Sequence, residues 1–107
     1  MLEKLSVIED RYEELSQIIA DPEVINRQEE WQGLVKEHAQ LEGMVNHYRD
    51  YKSICGEIED AEHLLTETED KDFRLMVEQE LKELTEQRDT ILQEIKLLLL
   101  PKDPMDD

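Results

Sequence analysis

The chain has 107 residues, 38% of them hydrophobic and 38% charged, and its 29 acidic and 12 basic side chains give a net charge of -17. This length allows one domain with a modest core. The negative charge argues against direct binding to nucleic acid or to an anionic membrane. The single cysteine excludes an internal disulfide, and the first residues lack the basic-then-apolar pattern of a signal peptide. No apolar stretch approaches the roughly 20 residues of a membrane helix. We therefore expect a soluble, cytoplasmic protein.

The first predicted element is an amphipathic helix from residue 2 to about residue 20. Its apolar residues recur at spacings of three and four, which places them on one face: Leu2, Leu5, Ile8, Tyr12, Leu15 and Ile19. Asp21-Pro22 is expected to end this helix, because proline disfavours a helical conformation in the residue before it. Asn26 is then predicted to cap the next helix by accepting a backbone N–H from its first turn.

The second predicted helix is long, from about residue 27 to about residue 65. The same spacing continues along it with one slip in register, through Trp31, Leu34, His38, Leu41, Val45, Tyr48, Tyr51, Cys55, Ile58 and Leu65. Each glycine inside this range costs the helix up to about 1 kcal/mol relative to alanine. We therefore expect a bend or a close helix contact near Gly33, Gly43 or Gly56.

A third helix is predicted from about residue 73 to residue 100, after a polar, loop-like stretch at residues 66–72. Asp70 or Asp72 is expected to cap its start and Pro101 to end it. The residues on one face of this helix, its predicted stripe, are Phe73, Val77, Leu81, Leu84, Arg88, Ile91, Ile95 and Leu98. Residues 1–100 are thus predicted to form one helical domain, and residues 101–107 to begin a linker to downstream domains that this sequence does not contain.

Short connections make successive helices antiparallel neighbours, so the predicted fold is all-α, with a long central helix in an antiparallel three-helix arrangement. At 1.5 Å per residue the helices measure roughly 30, 60 and 42 Å, and the two outer helices overlap over only about 12 Å. The remainder of the third helix is predicted to pair with the second as a projecting two-helix coiled-coil hairpin. Residues 97–100, four consecutive leucines, are expected to be buried where the three helices meet, beside residues 41–45 and residues 2–8.

Two histidines are candidates for metal binding or catalysis. His63 has Glu59 and Glu62 at helical spacing, but a zinc site needs three or four converging donors, and a nearby glutamate is expected by chance in so acidic a helix. His38 lies on the apolar stripe between Leu34 and Leu41, and no serine or cysteine nucleophile shares its face. We therefore predict that His38 is a partly buried histidine of the helix seam and that His63 holds no metal.

The other candidates also favour structural roles. Cys55 falls at a core position, where burial makes a thiol inert. Trp31 either packs on the end of the first helix, which is favoured, or stands as an anchor for a partner. Acid–base catalysis needs a water-poor cleft, so the acidic clusters are interpreted as solvated faces; these are Glu13-Glu14, Glu29-Glu30 and Glu78-Gln79-Glu80.

No catalytic, cofactor-binding or metal-binding residue is predicted, and we expect no enzyme activity from this chain. Glycine-rich phosphate loops, a GxSxG elbow and CxxC pairs are absent from the sequence. A long acidic helical projection suits a docking element for a basic protein partner, because complementary charge aids the encounter. The simpler alternative is that the acidity only confers solubility. The residues that would contact a partner are left unassigned by the sequence.

Four strings occur in an order that resembles the N-terminal domain of the bacterial peptide chain release factor 1 family. They are Ile8-Glu9-Asp10-Arg11-Tyr12-Glu13-Glu14-Leu15, Asp21-Pro22-Glu23-Val24-Ile25, Tyr48-Arg49-Asp50-Tyr51-Lys52 and Leu98-Leu99-Leu100-Pro101-Lys102-Asp103-Pro104. The resemblance spans essentially the whole chain, and the Leu-Leu-Pro-Lys-Asp-Pro run is its most specific part. The family commonly has Asn where this sequence has Met105.

The resemblance implies a parent protein that enters the ribosomal A site at UAA or UAG codons and promotes hydrolysis of peptidyl-tRNA. The family reads the codon through a Pro-x-Thr tripeptide and carries a Gly-Gly-Gln loop for hydrolysis, and neither occurs here. This domain would then be a non-catalytic docking arm for the GTPase-associated region of the large ribosomal subunit and for the class-2 GTPase release factor. The alternative function is a free-standing acidic coiled-coil adaptor or oligomerisation module.

Overall fold

The computed structural model describes residues 1–101, and its regular elements are four α-helices. They are α1 (Leu2–Ile18), α2 (Pro22–Ile25), α3 (Gln28–Glu67) and α4 (Lys71–Leu99). The prediction of an all-α protein with a long central helix is confirmed. Residues 102–107, most of the predicted linker, lie outside the described residues. The chain divides into two compact units, an N-terminal unit (Met1–Tyr48) and a C-terminal unit (Arg49–Asp107), with the boundary inside α3.

In the N-terminal unit, α1 packs antiparallel to the first part of α3. Contacts that advance along α1 move backwards along α3: Arg11 bonds to Glu37, and Ile19 receives a bond from Trp31. Leu5 and Leu15, one and three turns into α1, are buried. The predicted stripe therefore faces the partner helix over most of its length, although Leu2 at its start is exposed.

A short helix that the sequence reading missed connects α1 to α3. Asp21 caps α2 by accepting a hydrogen bond from the backbone N–H of Glu23 at 2.9 Å, and Pro22 occupies the first turn, where its missing N–H costs nothing. The predicted capping role of Asn26 is wrong, because Asn26 is the C-cap of α2 and has a right-handed helical conformation. The aspartate and proline that end α1 thus also begin a new turn.

The C-terminal unit is an antiparallel helical hairpin built from the rest of α3 and from α4. Its buried side chains include Ile58 and Ala61 on α3 and Val77 and Leu84 on α4. The connection is shorter than predicted, since α3 continues to Glu67 and α4 begins at Lys71. The prediction that Asp70 caps α4 is confirmed: its carboxylate accepts backbone N–H bonds from Asp72 and Phe73 at 3.0 and 3.3 Å.

One packing prediction is wrong. The four-leucine turn is not buried, because Leu97, Leu98 and Leu100 are 67%, 47% and 63% exposed. Leu97 stands about 200° around the helix from the buried Ile95, so the two side chains lie on nearly opposite sides of α4. The predicted overlap of this turn with α1 stays a prediction.

Of the two alternatives expected at the glycines of α3, a bend or a close helix contact, the contact is not found. A Cβ added at Gly33, Gly43 or Gly56 would meet no heavy atom within 4 Å outside its own helix backbone and neighbours. The three glycines therefore leave open space on α3 rather than admitting a second helix. The alternative expectation, a bend near one of them, stays a prediction.

Candidate functional site

His38 meets two side chains of α1. Its ring stacks on that of Tyr12, with centroids 4.2 Å apart and planes 15° from parallel, and its Nε2 lies 2.8 Å from the Ser16 hydroxyl oxygen. That hydroxyl donates its one proton to the Tyr12 carbonyl at 3.0 Å. The contact between Nε2 of His38 and the Ser16 hydroxyl joins α3 to α1.

No nucleophile was predicted beside His38, because the spacing within one helix does not show which residues of another helix lie nearby. Ser16 is 22 residues away in sequence and comes into contact through helix pairing. The pairing nevertheless supports the predicted role, since His38 is half-buried in the seam between α1 and α3. Its contacts tie the two helices together.

Arg11 and Glu37 form a second link between α1 and α3. The guanidinium donates two hydrogen bonds to the carboxylate, from Nε at 2.7 Å and from Nη2 at 3.0 Å, and it also lies 3.2 Å from Glu14. These bonds lower the pKa of the Glu37 carboxyl and raise that of Arg11, because each charge favours the charged form of the other. Such a planar two-bond pair fixes the register of the helices more narrowly than a single contact does.

Trp31 provides the third link. Its indole Nε1–H donates to the backbone carbonyl of Ile19 at 2.9 Å, at the C-terminal cap of α1. A carbonyl at a helix end lacks an intrahelical partner, so the indole satisfies this polar group while its ring is half-buried. Packing on the end of the first helix, the favoured prediction for Trp31, is confirmed.

The remaining candidates lie apart from one another. Cys55 is half-buried rather than fully buried, and His63 Nε2 lies 2.9 Å from the carboxylate of Glu67 on an exposed face. Within residues 1–101 no group of three or more His, Cys, Asp or Glu side chains is arranged to hold a metal ion.

The acidic clusters lie on exposed helix faces, as predicted. One residue of each cluster pairs with an arginine of the same helix or of the segment just before it. These pairs are Glu14 with Arg11, Glu30 with Arg27, and Glu78 with Arg74, at N–O distances of 3.2, 3.7 and 3.9 Å. They form no water-poor cleft of the kind that acid–base catalysis requires.

A groove in the C-terminal unit is also open to solvent. It has a volume of about 520 Å³ and lies between α3 and α4, lined by Ile54, Glu83, Glu86, Gln87, Thr90 and Ile91. Both of its glutamates are exposed. Since water reaches both carboxylates, the groove is not the water-poor cleft that acid–base catalysis requires.

At the loop end of the hairpin, Arg74 joins α4 to the end of α3. Its Nη1 donates hydrogen bonds to the backbone carbonyls of Leu65 and Thr68, and its Nη2 lies 3.9 Å from Glu78. The last turn of α3 contains no basic residue, so Arg74 brings from α4 the positive charge that the negative end of the α3 dipole favours. Arg74 was missing from the predicted stripe, although it lies next to Phe73 and is half-buried.

Arg74 also belongs to a candidate docking surface, which we call the hairpin-end surface: Lys71, Arg74, Leu75, Met76 and Glu78. Four of these residues line a shallow depression of about 260 Å³, and Leu75 and Met76 are 65% and 61% exposed. Adjacent exposed apolar side chains with charged neighbours of both signs are typical of protein contact sites. The sequence does contain a signal for this surface, because Leu75 and Met76 are apolar but fall outside the predicted stripe.

None of the helices in residues 1–101 combines the length and the apolar character that crossing a bilayer requires.

Comparison with known proteins identifies the family. The PCRF domain model matches residues 8–107. Peptide chain release factor 1 from Carboxydothermus hydrogenoformans is 51% identical over all 107 residues, and the corresponding proteins from Caldicellulosiruptor saccharolyticus and Clostridium botulinum are 50% and 51% identical. In each comparison the whole chain is matched, and it spans 30% of the length of the relative. No solved structure matches the chain significantly. The resemblance stated from the sequence is confirmed, and the chain belongs to the PCRF domain family.

Proposed function

We propose that the chain is the N-terminal domain of a class-1 peptide chain release factor that directs translation termination at UAA and UAG codons on the cytoplasmic ribosome. The observation that carries this proposal is the identity of about half of all positions, along the whole chain, with relatives named peptide chain release factor 1. Because the chain spans 30% of their length, codon reading and ester hydrolysis belong to the remainder of the parent protein. The absence of Pro-x-Thr and Gly-Gly-Gln from the sequence fits this division.

In this proposal the domain is a non-catalytic docking arm, and the hairpin-end surface is its contact point. Leu75 and Met76 supply apolar area that gains by leaving water, while Arg74 holds the surface in place through the α3 carbonyls. The net charge of -17 favours a basic protein component as partner. By family resemblance, the partners are the GTPase-associated region of the large ribosomal subunit and the class-2 GTPase release factor.

The first test uses the protein encoded by the complete reading frame. Peptide release would be measured from ribosomes stalled at UAA, UAG or UGA, and we expect release at the first two codons only. A reading frame without a Gly-Gly-Gln triplet, or release that ignores the stop codon, would contradict the assignment.

The second test asks whether this domain docks or takes part in the chemistry. Release by the full protein would be compared with that of a variant lacking residues 1–100, as a function of factor concentration. Loss of a docking arm raises the concentration needed for half-maximal release and preserves the maximal rate. A fall in the maximal rate at an unchanged half-saturating concentration would overturn the docking role.

The third test locates the contact. Leu75→Ser should raise the half-saturating concentration of the full protein, whereas Val7→Ser is the matched control, since Val7 is equally exposed at 67% but lies on α1. Circular dichroism would check that both variants keep their helices. Equal effects of the two substitutions would exclude the hairpin-end surface as the contact point.

A further inference from the structure

The last turn of α4 exposes an apolar surface that we call the leucine face: Leu97, Leu98 and Leu100, which are 67%, 47% and 63% exposed. Ile95, just before it on the same helix, is completely buried. The change from buried to exposed therefore occurs within one helical turn. Residues 97–100 contain no charged or polar side chain, in a chain in which 38% of residues are charged.

Isolated exposed leucines are ordinary, but several together are not. Leu97 and Leu100 are three positions apart, and Leu98 is adjacent to Leu97, so the three side chains share one end of the helix. Their exposed fractions leave nearly half or more of each side chain open to solvent. An apolar surface of this kind gains free energy when it is taken out of water.

We propose that the leucine face is the docking surface for the segment of the same polypeptide that follows residue 107, and that it joins this helical domain to the next domain. The inference rests on the proposed function, since it takes the parent protein to be a release factor. The chain accounts for 30% of the length of its release-factor relatives, so more than two thirds of their length lies outside it. The predicted occupant presents an apolar surface complementary to the three leucines.

Proximity favours this occupant over a separate molecule. α4 ends at Leu99, and each residue of the chain beyond it spans at most about 3.6 Å, so a segment that follows residue 107 starts within about 30 Å of the end of α4. A short tether raises the effective concentration of the tethered group to about the millimolar range. A second copy of the chain has no such advantage and carries the same net charge of -17, which opposes self-association.

Cysteine accessibility provides the test. Leu98→Cys, Leu97→Cys and the control Leu75→Cys are placed in a Cys55→Ser background, each in the 107-residue chain and in the full protein. Leu75 is the matched control because it is a leucine of the same helix with 65% exposure, far from the leucine face. The rate of alkylation by iodoacetamide is followed by mass spectrometry of the peptide that carries each cysteine, and circular dichroism confirms that each variant remains helical.

We expect both leucine-face thiols to react at least tenfold more slowly in the full protein than in the 107-residue chain, and the Leu75→Cys thiol to react at the same rate in both. Equal rates in the two proteins at both leucine-face positions would overturn the inference. Slow labelling of the 107-residue chain that becomes slower with protein concentration would also overturn it, because a second copy would then be the occupant. Protection in a full protein that fails to release peptide at stop codons would retain this inference and refute the proposed function.

Discussion

The N-terminal and C-terminal units join their helices by different means. Three links with defined partners connect α1 to α3: the Arg11–Glu37 pair, the contacts of His38, and the Trp31 hydrogen bond. In the C-terminal unit, a buried apolar seam runs along the hairpin, and Arg74 and Asp70 organise its loop end. Apolar seams provide most of the stabilisation but tolerate small displacements, whereas paired polar groups require one register. Substitutions in each unit test this difference between apolar seams and paired polar groups.

The largest expected effect is the truncation of a seam leucine. Leu15→Ala in the N-terminal unit and Leu84→Ala in the C-terminal unit should each lower the free energy of unfolding by about 2 to 5 kcal/mol, because each removes a buried side chain and leaves a cavity. Urea unfolding of the 107-residue chain, followed by circular dichroism, measures both. Comparable losses would show that the apolar seam is the main source of stability in both units.

Leu98→Ala is the control for these truncations. Leu98 is 47% exposed, so its truncation in the 107-residue chain should cost less than about 1 kcal/mol. A loss as large as that of Leu15→Ala would mean that the turn is buried in solution, as the sequence alone had predicted.

The next largest effect is expected when the hydrogen bonds between Arg74 and the end of α3 are removed. Arg74→Met keeps the apolar stem but loses the hydrogen bonds to the carbonyls of Leu65 and Thr68, and we expect a loss of about 1 to 2 kcal/mol. Amide hydrogen exchange should accelerate in the last turn of α3. Arg27→Met is the control, because Arg27 is an exposed arginine whose ion pair with Glu30 is 3.7 Å long, and such pairs contribute about 0 to 1 kcal/mol. Equal losses in the two variants would show that Arg74 does not lock the hairpin.

These two regions also show what the sequence can predict. The three-and-four spacing located Leu15, Val77 and Leu84 in the seams, since a single helix determines which residues share its face. Asp70 was predictable as a cap because capping is local. The three long helices, the residues on their inner faces and the antiparallel pairing within each unit were predictable, whereas the short helix α2 was missed.

The contacts between helices in the candidate site could not be predicted from the spacing of residues. Ser16 and His38 are 22 residues apart and Arg11 and Glu37 are 26 apart, so their meeting depends on the register between two helices, which spacing within one helix does not determine. The leucine turn was predicted to be buried because helix lengths placed neighbours beside it, but length does not show how much of a turn those neighbours cover. Leu75 and Met76 were overlooked because they lie off the stripe.

The glycines of α3 should give a smaller effect of opposite sign. Gly33→Ala and Gly43→Ala in the N-terminal unit, and Gly56→Ala in the C-terminal unit, should each raise the free energy of unfolding by about 0.5 to 1 kcal/mol, because alanine loses less backbone entropy in a helix and the added methyl group meets open space. Urea unfolding measures each variant alone and the triple variant, whose gains should add. A destabilised variant would locate the bend that the glycines were expected to cause.

The smallest effect concerns the Arg11–Glu37 pair and appears as a dependence on pH. Because Arg11 lowers the pKa of Glu37 below its ordinary value of 4.5, this interaction stabilises the folded chain above about that pH and is lost as the pH falls through the lowered pKa. The stability difference between the natural chain and Glu37→Gln should therefore be present at pH 7 and disappear in acid, and 1 M salt should reduce it. Glu42→Gln, an exposed site on the same helix, controls for the loss of one negative charge. If Glu37→Gln and Glu42→Gln had the same pH profile, net charge alone would explain the effect, and the N-terminal unit would depend on its apolar seam as the C-terminal unit does.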